Sequence, residues 1–226
     1  MPAGTACGRH GRGRAAMRGK FIVIEGLDGS GKTTQIKLLA EKLRAMGRSV
    51  AETAEPTASA TGGLIRDALS GFTPRTGTEI AALFMADRVA HNVNPVNGIN
   101  ALLSEGRDVI CDRYYYSSLA YQGYVSDPDW VYHINVDCPE IRKPDLCVFL
   151  DLDDEACLRR MDRGRSYREI YENEDTLLAA RKRYFEAFRA LGARDRISIV
   201  NADRAPEEVA EDVFAAVRVL LEESQE

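Results

Sequence analysis

Short apolar segments alternate with helical patterns from residue 20 to the end of the chain. Apolar runs predict five strands, at 21–25, 49–53, 108–112, 146–151 and 197–200. The run 146–151 shows no polar alternation, which is typical of a strand with both faces covered. Strands that alternate with helices favour a parallel sheet with right-handed crossovers. The pattern therefore predicts an α/β fold, a three-layer sandwich around a five-stranded parallel sheet.

Apolar residues at helical spacing predict the helices between these strands. In segment 33–46, Ile36, Leu39 and Leu43 share one face, and Gly47 stops the helix. The remaining helices are predicted at 63–69, about 78–103, 114–122, 154–161 and 177–191, and Pro206 begins a last one. The helix at 78–103 is expected to bend near Pro95. An Asp- and Pro-rich loop is predicted at 124–145.

The first sixteen residues differ in character from the rest of the chain. They contain three arginines and no acidic residue, and Met17 stands just before the first apolar run. An Arg-rich, acid-poor start is also typical of an organellar transit peptide, but this one has no serine and no amphipathic stripe. We therefore interpret 1–16 as a disordered basic tail or an upstream-start extension, and 17–226 as a single domain.

Charge and cysteine usage narrow the class of protein. The net charge is −5, which disfavours a nucleic-acid binder, and no run of about 18 apolar residues predicts a membrane span. The five cysteines are odd in number and none has C-x2-C spacing. We expect reduced thiols in the cytoplasm and no zinc site.

The strongest chemical signal is a phosphate-binding loop. Its residues are Gly26, Leu27, Asp28, Gly29, Ser30, Gly31, Lys32 and Thr33, which fit G-x-x-x-x-G-K-[ST] between a buried strand and an amphipathic helix that continues with Thr34. Glycines let backbone N–H groups converge on phosphate oxygens, and the helix N-terminus adds partial positive charge. Lys32 is expected to reach the β- and γ-phosphates and Thr33 to bind Mg²⁺.

Carboxylates and an arginine follow the later strands. Asp112 ends the strand 108–112 and is a candidate to act on Mg²⁺ or its waters. Asp151 ends the strand 146–151 and is a rival for that role, although a strand-end Asp also commonly caps the next helix. Arg113, next to Asp112, is placed to clamp a second phosphate.

Two further groups of residues suggest substrate contacts. Segment 162–172 is polar, carries three arginines and lies between two predicted helices. A solvated loop explains such a charge run, but a mobile lid would supply the cations that phosphoryl transfer needs. Phe84 and Arg88 are four residues apart on one helix face, where an aromatic ring and a guanidinium are able to bind a base; core packing is the alternative for Phe84.

Four segments together resemble the thymidylate kinase family, and the resemblance covers the chain from Met17 onward. They are 21–35 (FIVIEGLDGSGKTTQ), 83–88 (LFMADR), 112–123 (DRYYYSSLAYQG) and 143–146 (KPDL). The first is shared with many P-loop NTPases, whereas the third is much more specific. The resemblance implies a P-loop fold with a small lid at about 160–172, ATP and Mg²⁺ as cofactors, and a homodimer.

The resemblance also implies a role for each matching residue at the dTMP end. Asp28 would contact the 3′-hydroxyl of the sugar, and Arg113 would hold the acceptor phosphate. Phe84 would stack on thymine while Arg88 hydrogen-bonds its O4. Tyr121 would crowd the ribose 2′ position. The other dTMP contacts implied are Ser118, Gln122 and the Glu55-Pro56 turn.

At the ATP end, the resemblance implies that residues 201–203 line the adenine, namely Asn201, Ala202 and Asp203. The phosphate loop has no arginine, which resembles the subgroup whose catalytic arginines lie in the lid, here Arg160, Arg163, Arg165 and Arg168. The chain departs from the family pattern beside the Glu-Pro turn, where Ala54 and Thr57 replace an expected basic residue. Arg66 is the candidate to substitute for that cation.

The sequence thus predicts a phosphotransferase that moves the γ-phosphoryl of ATP to dTMP, giving dTDP and ADP in dTTP synthesis. Transfer is expected to be direct and in line, without a covalent enzyme intermediate. Two alternatives stay open. One is a kinase for another nucleotide or a deoxynucleoside. The other is a nucleotide-dependent switch or partition-type ATPase, which leaves the motif at 112–123 unexplained.

Overall fold

The computed structural model describes residues 18–153, 156–157 and 174–223, without the side chains of 174–178. Five strands are present, with the bounds β1 Phe21–Gly26, β2 Val50–Ala54, β3 Asp108–Asp112, β4 Leu146–Asp151 and β5 Ile197–Asn201. They form one parallel sheet in the order β2-β3-β1-β4-β5. This confirms the predicted α/β class and sheet.

The described helices pack against the sheet in two groups. Their bounds are α1 Lys32–Ala45, α2 Ala60–Leu69, α3 Gly77–Val93, α4 Ile99–Ser104, α5 Tyr115–Val125, α6 Pro128–Val136, α7 Glu174–Leu191 and α8 Pro206–Glu222. Helices α1 and α8 contact each other and the sheet. Helices α2 to α7 contact one another as a series of neighbours, and α4 connects this series to β3. Within the described ranges, no helix is both long and apolar enough to cross a bilayer.

The sheet topology determines where the chemical motifs meet. All five strands run parallel, so their carboxyl ends lie along one edge of the sheet. The phosphate loop follows β1, Glu55 follows β2 and Arg113 follows β3. Because the central strand β1 lies between β3 and β4, its loop opens at the switch point where ligands bind in such sheets.

Two predicted elements were wrong. The helix predicted at about 78–103 does depart from a straight course near Pro95, as expected, but it is interrupted there and forms two helices. Pro95 cannot continue α3, and Asn94 Oδ1 instead accepts the N–H groups of Val96 and Asn97. Gly98 completes this turn, since a Cβ there would lie 2.4 Å from the Asn94 carbonyl oxygen.

The predicted loop at 124–145 contains α6. Asp127 caps this helix by accepting the Trp130 N–H, and Pro128 occupies its first turn. The Asp-Pro pair is therefore a helix start and not a loop signal. The predicted tail at 1–16 and lid at 160–172 lie outside the described residues, and of the predicted helix 154–161 only 156–157 are described.

Candidate active site

A cavity of about 530 Å³ lies at the carboxyl edge of the sheet. The phosphate loop forms one end and the α2–α3 side of the molecule forms the other. Its lining combines charged groups with apolar side chains, as expected of a nucleotide site. Its lining residues are Asp28, Gly29, Gly31, Lys32, Thr33, Thr34, Ala54, Glu55, Pro56, Arg66, Leu69, Phe84, Arg88, Asp112, Arg113, Tyr114, Ser117, Tyr121 and Gln122.

The backbone of the phosphate loop requires glycine. Gly29 and Gly31 have φ of 82° and 95°, in the left-handed region that favours glycine. At Gly26 a Cβ would lie 2.5 Å from Ser30 Oγ and 2.9 Å from the Leu150 carbonyl oxygen. The loop therefore closes tightly over β1 and directs the N-terminus of α1 into the cavity.

Lys32 is a buried cation at the centre of this loop. Its Nζ donates to the carbonyl oxygens of Gly26 and Leu27 at 3.1 and 3.0 Å and lies 3.7 Å from Asp28 Oδ1. Burial, followed by the nearby Arg113 charge, lowers the pKa of Lys32, while the carboxylates around it oppose that change. An added anion at this point would therefore be strongly favoured.

Arg113 joins the phosphate loop to β3. Its Nη2 donates to Asp28 Oδ1 at 2.6 Å. Burial lowers the pKa of Arg113, but Asp28, Tyr184 and Tyr121 outweigh burial and raise it above its ordinary value, so the side chain stays charged. Among the described residues, Arg113 is the one non-glycine residue with positive φ, 65°. Such strain is concentrated at functional sites.

The two candidate metal-binding aspartates have different surroundings. Asp151 receives two hydrogen bonds from Arg181, at 2.7 and 2.9 Å, and does not line the cavity. Asp112 lines it, and its buried Oδ1 has no hydrogen-bond partner among the described residues. Thr33 faces the same cavity from the first turn of α1. The geometry thus favours Asp112 over Asp151.

At the far end of the cavity, Arg88 is fully buried and held by two partners. Its Nε donates to Glu55 Oε2 at 2.8 Å, and its Nη1 donates to Asn135 Oδ1. His91 contacts the other oxygen of Glu55 at 3.0 Å. Phe84, one turn before Arg88, packs in a small apolar cluster between α2 and α3 and also lines the cavity. Core packing of Phe84 is therefore confirmed, and its place on the cavity wall leaves the base contact a prediction.

Arg66 lies beside the Glu-Pro turn, as the substitute cation would have to. Its Nη1 donates to the carbonyl oxygens of Pro56 and Thr57 at 3.2 and 2.8 Å. The peptide bond before Pro56 is cis. Asp87 fixes the same turn by accepting the Thr57 N–H at 2.8 Å. Arg66 thus both supports the turn and lines the cavity.

The predicted residues on α5 divide into two groups. Tyr121 and Gln122 line the cavity, and burial raises the pKa of Tyr121, which keeps it a neutral phenol. Ser118 is buried outside the cavity lining, and its hydroxyl has no partner within the described part of the chain.

The predicted adenine-site residues lie at the end of β5, on the same sheet edge, and do not line this cavity. Ala202 donates its N–H to the Asp151 carbonyl oxygen at 2.8 Å, and the Asp203 N–H donates to Asn201 Oδ1 at 2.9 Å. The four predicted lid arginines, Arg160, Arg163, Arg165 and Arg168, lie outside the described residues.

Sequence reasoning missed several buried polar residues that hold the site together. His91 and Asn135 orient the Glu55–Arg88 pair, and Ser117 with Tyr184 contacts Arg113. The position of Glu25 could have been recognised from the sequence, because a charged residue at the end of a buried strand needs hydrogen-bond or charged partners. Tyr184 could not have been recognised in this way, since only the fold brings α7 to α5.

A phosphate loop that faces a second, arginine-lined end of one cavity defines a P-loop phosphotransferase. A family model described as thymidylate kinase matches residues 24–213 of the chain. The chain therefore belongs to the thymidylate kinase family, and its reaction is the ATP-dependent phosphorylation of dTMP to dTDP.

Named relatives agree with this assignment. A probable thymidylate kinase of Pyrococcus horikoshii is 40% identical over 208 residues, covering 89% of this chain and 97% of the relative. A thymidylate kinase of Pelotomaculum thermopropionicum is 40% identical over 214 residues, covering 91% of this chain and 96% of the relative.

Proposed function

We propose that the cavity brings the phosphate of dTMP and the γ-phosphate of ATP together between Arg113 and Lys32. The observation that supports this is the Asp28–Arg113 ion pair, 2.6 Å long, which joins the phosphate loop to the residue that follows β3 on the wall of the same cavity. Both cations lie close to Asp28 Oδ1, Arg113 at 2.6 Å and Lys32 at 3.7 Å. Their arrangement suits a reaction in which two anionic groups must be held in line against their repulsion.

In the proposed reaction, an oxygen of the dTMP phosphate attacks the γ-phosphorus of ATP. The new P–O bond forms as the bond from the γ-phosphorus to the β–γ bridging oxygen breaks, and that oxygen leaves with ADP. Lys32 stabilises the charge that develops on the transferred group. Arg113 holds the acceptor phosphate, and Asp28 binds the sugar 3′-hydroxyl while it orients Arg113. The lid arginines, on the resemblance, neutralise the remaining charge.

The thymine end has a matching set of contacts. Phe84 offers an aromatic face to the base. Arg88 has its Nε and Nη1 engaged by Glu55 and Asn135, which fixes the plane of the guanidinium next to the cavity. Tyr121 and Gln122 line the wall between base and phosphate and are proposed to select the sugar and the base.

The oxygen donors at the phosphate end fit Mg²⁺. The buried, unpartnered Oδ1 of Asp112 and the hydroxyl of Thr33 are hard ligands of the kind that Mg²⁺ takes in small number beside phosphates and waters. Bound Mg²⁺ would supply charge neutralisation on the β- and γ-phosphates. Asp112 and Thr33 would hold it, while Lys32 binds the same phosphates through the loop.

Asp112→Asn is expected to raise the Mg²⁺ concentration for half-maximal activity about tenfold, because an amide oxygen binds Mg²⁺ more weakly than a carboxylate. The measurement is initial rate against free Mg²⁺ at saturating ATP and dTMP. Asp151→Asn is the matched control and should leave the Mg²⁺ dependence unchanged, since Arg181 occupies Asp151. A shift in Asp151→Asn alone would reverse the assignment.

A panel of acceptors tests the specificity proposed for the cavity. ADP release would be followed with ATP, Mg²⁺ and each of dTMP, dUMP, dCMP, dAMP, dGMP, UMP and thymidine, beside a control without acceptor. dTMP should give the fastest turnover, because it alone offers both a phosphate for Arg113 to bind and a thymine for Phe84 and Arg88 to contact. Faster turnover with thymidine or another monophosphate would contradict the acceptor site. ADP release that is equally fast with and without an acceptor would contradict the role of Arg113 in binding the acceptor phosphate.

We also propose a homodimer in a reducing compartment such as the cytoplasm, without nucleic-acid binding. The described cysteines Cys111, Cys138, Cys147 and Cys157 are all free thiols, which supports the compartment. The dimer rests on the family resemblance, and sedimentation of the full chain would test it. The net charge of −5 supports the absence of nucleic-acid binding.

A further inference from the structure

Glu25 is a buried carboxylate at the end of β1, directly before the phosphate loop, and it does not line the cavity. Its Oε1 accepts the backbone N–H groups of Tyr114 and Ser117 at 2.8 and 3.2 Å. Its Oε2 accepts the hydroxyls of Ser117 and Tyr184, both at 2.9 Å. One side chain therefore joins β1 to α5 and α7 beneath the site.

The same two hydroxyls also contact Arg113. Its Nη1 lies 3.1 Å from Ser117 Oγ and 3.3 Å from Tyr184 Oη, and the two hydroxyl oxygens are 2.8 Å apart. Each hydroxyl carries one proton and cannot donate both to Glu25 and to the other hydroxyl. Hydrogen bonds to a carboxylate are the stronger ones, so both protons point to Glu25. The lone pairs then face Arg113, which donates to both and offsets their mutual repulsion.

We propose that Glu25 is a positioning residue for the acceptor phosphate, which fixes the guanidinium of Arg113 through the hydroxyls of Ser117 and Tyr184. The inference rests on the proposed function, in which Arg113 holds the phosphate of dTMP. The other oxygen of Glu25 contributes to the same end. It binds the N–H of Tyr114, the residue that follows the strained backbone of Arg113 with its φ of 65°.

Glu25→Gln separates these two actions of the carboxylate. The amide oxygen still accepts the N–H groups of Tyr114 and Ser117, so the backbone contacts are kept. The amide nitrogen donates, so the hydroxyls of Ser117 and Tyr184 must accept from it, and their protons turn away from residue 25. The Nη1 of Arg113 then loses its well-placed acceptors, while its Nη2 still donates to Asp28, so the guanidinium is less firmly fixed at the cavity wall.

The measurement is the affinity of dTMP and of thymidine by titration calorimetry, together with the KM for each substrate. Glu25→Gln should weaken dTMP about 10- to 100-fold, the worth of a hydrogen-bonded charged contact. Thymidine has no phosphate, and its affinity should stay within about twofold, as should the KM for ATP. Equal losses for dTMP and thymidine would show a merely structural role and overturn the proposal.

Two further variants keep the proposal testable if Glu25→Gln folds poorly. Tyr184→Phe keeps the ring packed against Phe149 and Phe188 and removes one hydroxyl. It should weaken dTMP several-fold and spare thymidine; unchanged dTMP affinity would overturn the proposal. In a Ser117→Ala/Tyr184→Phe background, Glu25→Gln should add less than about threefold, because its route to Arg113 is gone. A full additional loss there would also overturn it.

The failure of the proposed function looks different in the same titrations. A wild-type protein that binds dTMP no more tightly than thymidine would remove the phosphate role of Arg113, and this inference with it. The role of Glu25 alone would be overturned by a different result. In that case the wild type binds dTMP more tightly than thymidine, and Glu25→Gln keeps the same ratio of affinities.

Discussion

Replacing Lys32 with alanine is expected to lower kcat about 100- to 1000-fold, while the KM for dTMP stays within a few-fold. Lys32 is buried at the point where the phosphate loop meets α1, and its ammonium contacts only loop carbonyl oxygens and Asp28 among the described residues. A preorganised cation there stabilises charge on the transferred phosphoryl more than in the ground state. Removing such a group costs about 3–4 kcal/mol of transition-state stabilisation.

The measurement is steady-state kinetics with saturating Mg²⁺ and varied ATP and dTMP. Lys37→Ala is the matched control, because Lys37 is exposed on the same helix and lies outside the cavity lining. It should retain kcat within about twofold. If Lys32→Ala keeps kcat within tenfold of the wild type, the mechanism proposed for the phosphate loop is wrong.

The sheet and its carboxyl edge could be predicted from sequence because their signals are local. Buried strands are continuous apolar runs, and each predicted strand lies within one residue of the observed one. The phosphate loop, Asp112 and Arg113 all lie at or just after the ends of such strands, so the topology of a parallel sheet brings them together. Their joint presence in one cavity is a consequence of strand order alone.

The elements that were missed depend on turn chemistry and on distant partners. The helix α6 begins at Asp127-Pro128, residues that are also typical of loops, and only the capping hydrogen bond distinguishes the two cases. The choice between Asp112 and Asp151 was open because Arg181 approaches Asp151 from α7. No periodicity along the chain encodes that approach.

The buried polar networks are the least predictable part of the site. Glu55, Arg88 and Asn135 come from three separate segments and meet only in the folded chain. A buried charge without such partners costs several kcal/mol, so the fold must satisfy each of them. Residues that bind substrate are therefore easier to predict from the sequence than the residues that hold them in place.

Arg113→Lys is expected to lower kcat/KM for dTMP about 100-fold. Lysine keeps the positive charge and has the same backbone preferences at φ 65°, so the strain at this position is unchanged. It lacks the planar fork with which Arg113 contacts Asp28, Ser117 and Tyr184 at once. A single ammonium cannot replace those contacts and also bind a phosphate along two directions.

The measurement is kcat/KM for dTMP, compared with Arg196→Lys, a control in an exposed ion pair with Glu223 at the opposite end of β5. That control should match the wild type. ADP release without acceptor separates the two ends of the cavity. Lys32→Ala should lower it, because Lys32 acts on ATP, whereas Arg113→Lys should leave it unchanged, because Arg113 acts on the acceptor. If Arg113→Lys retains wild-type kcat/KM, the acceptor phosphate is held by another residue, and Arg66 is the cation on the cavity wall to replace next.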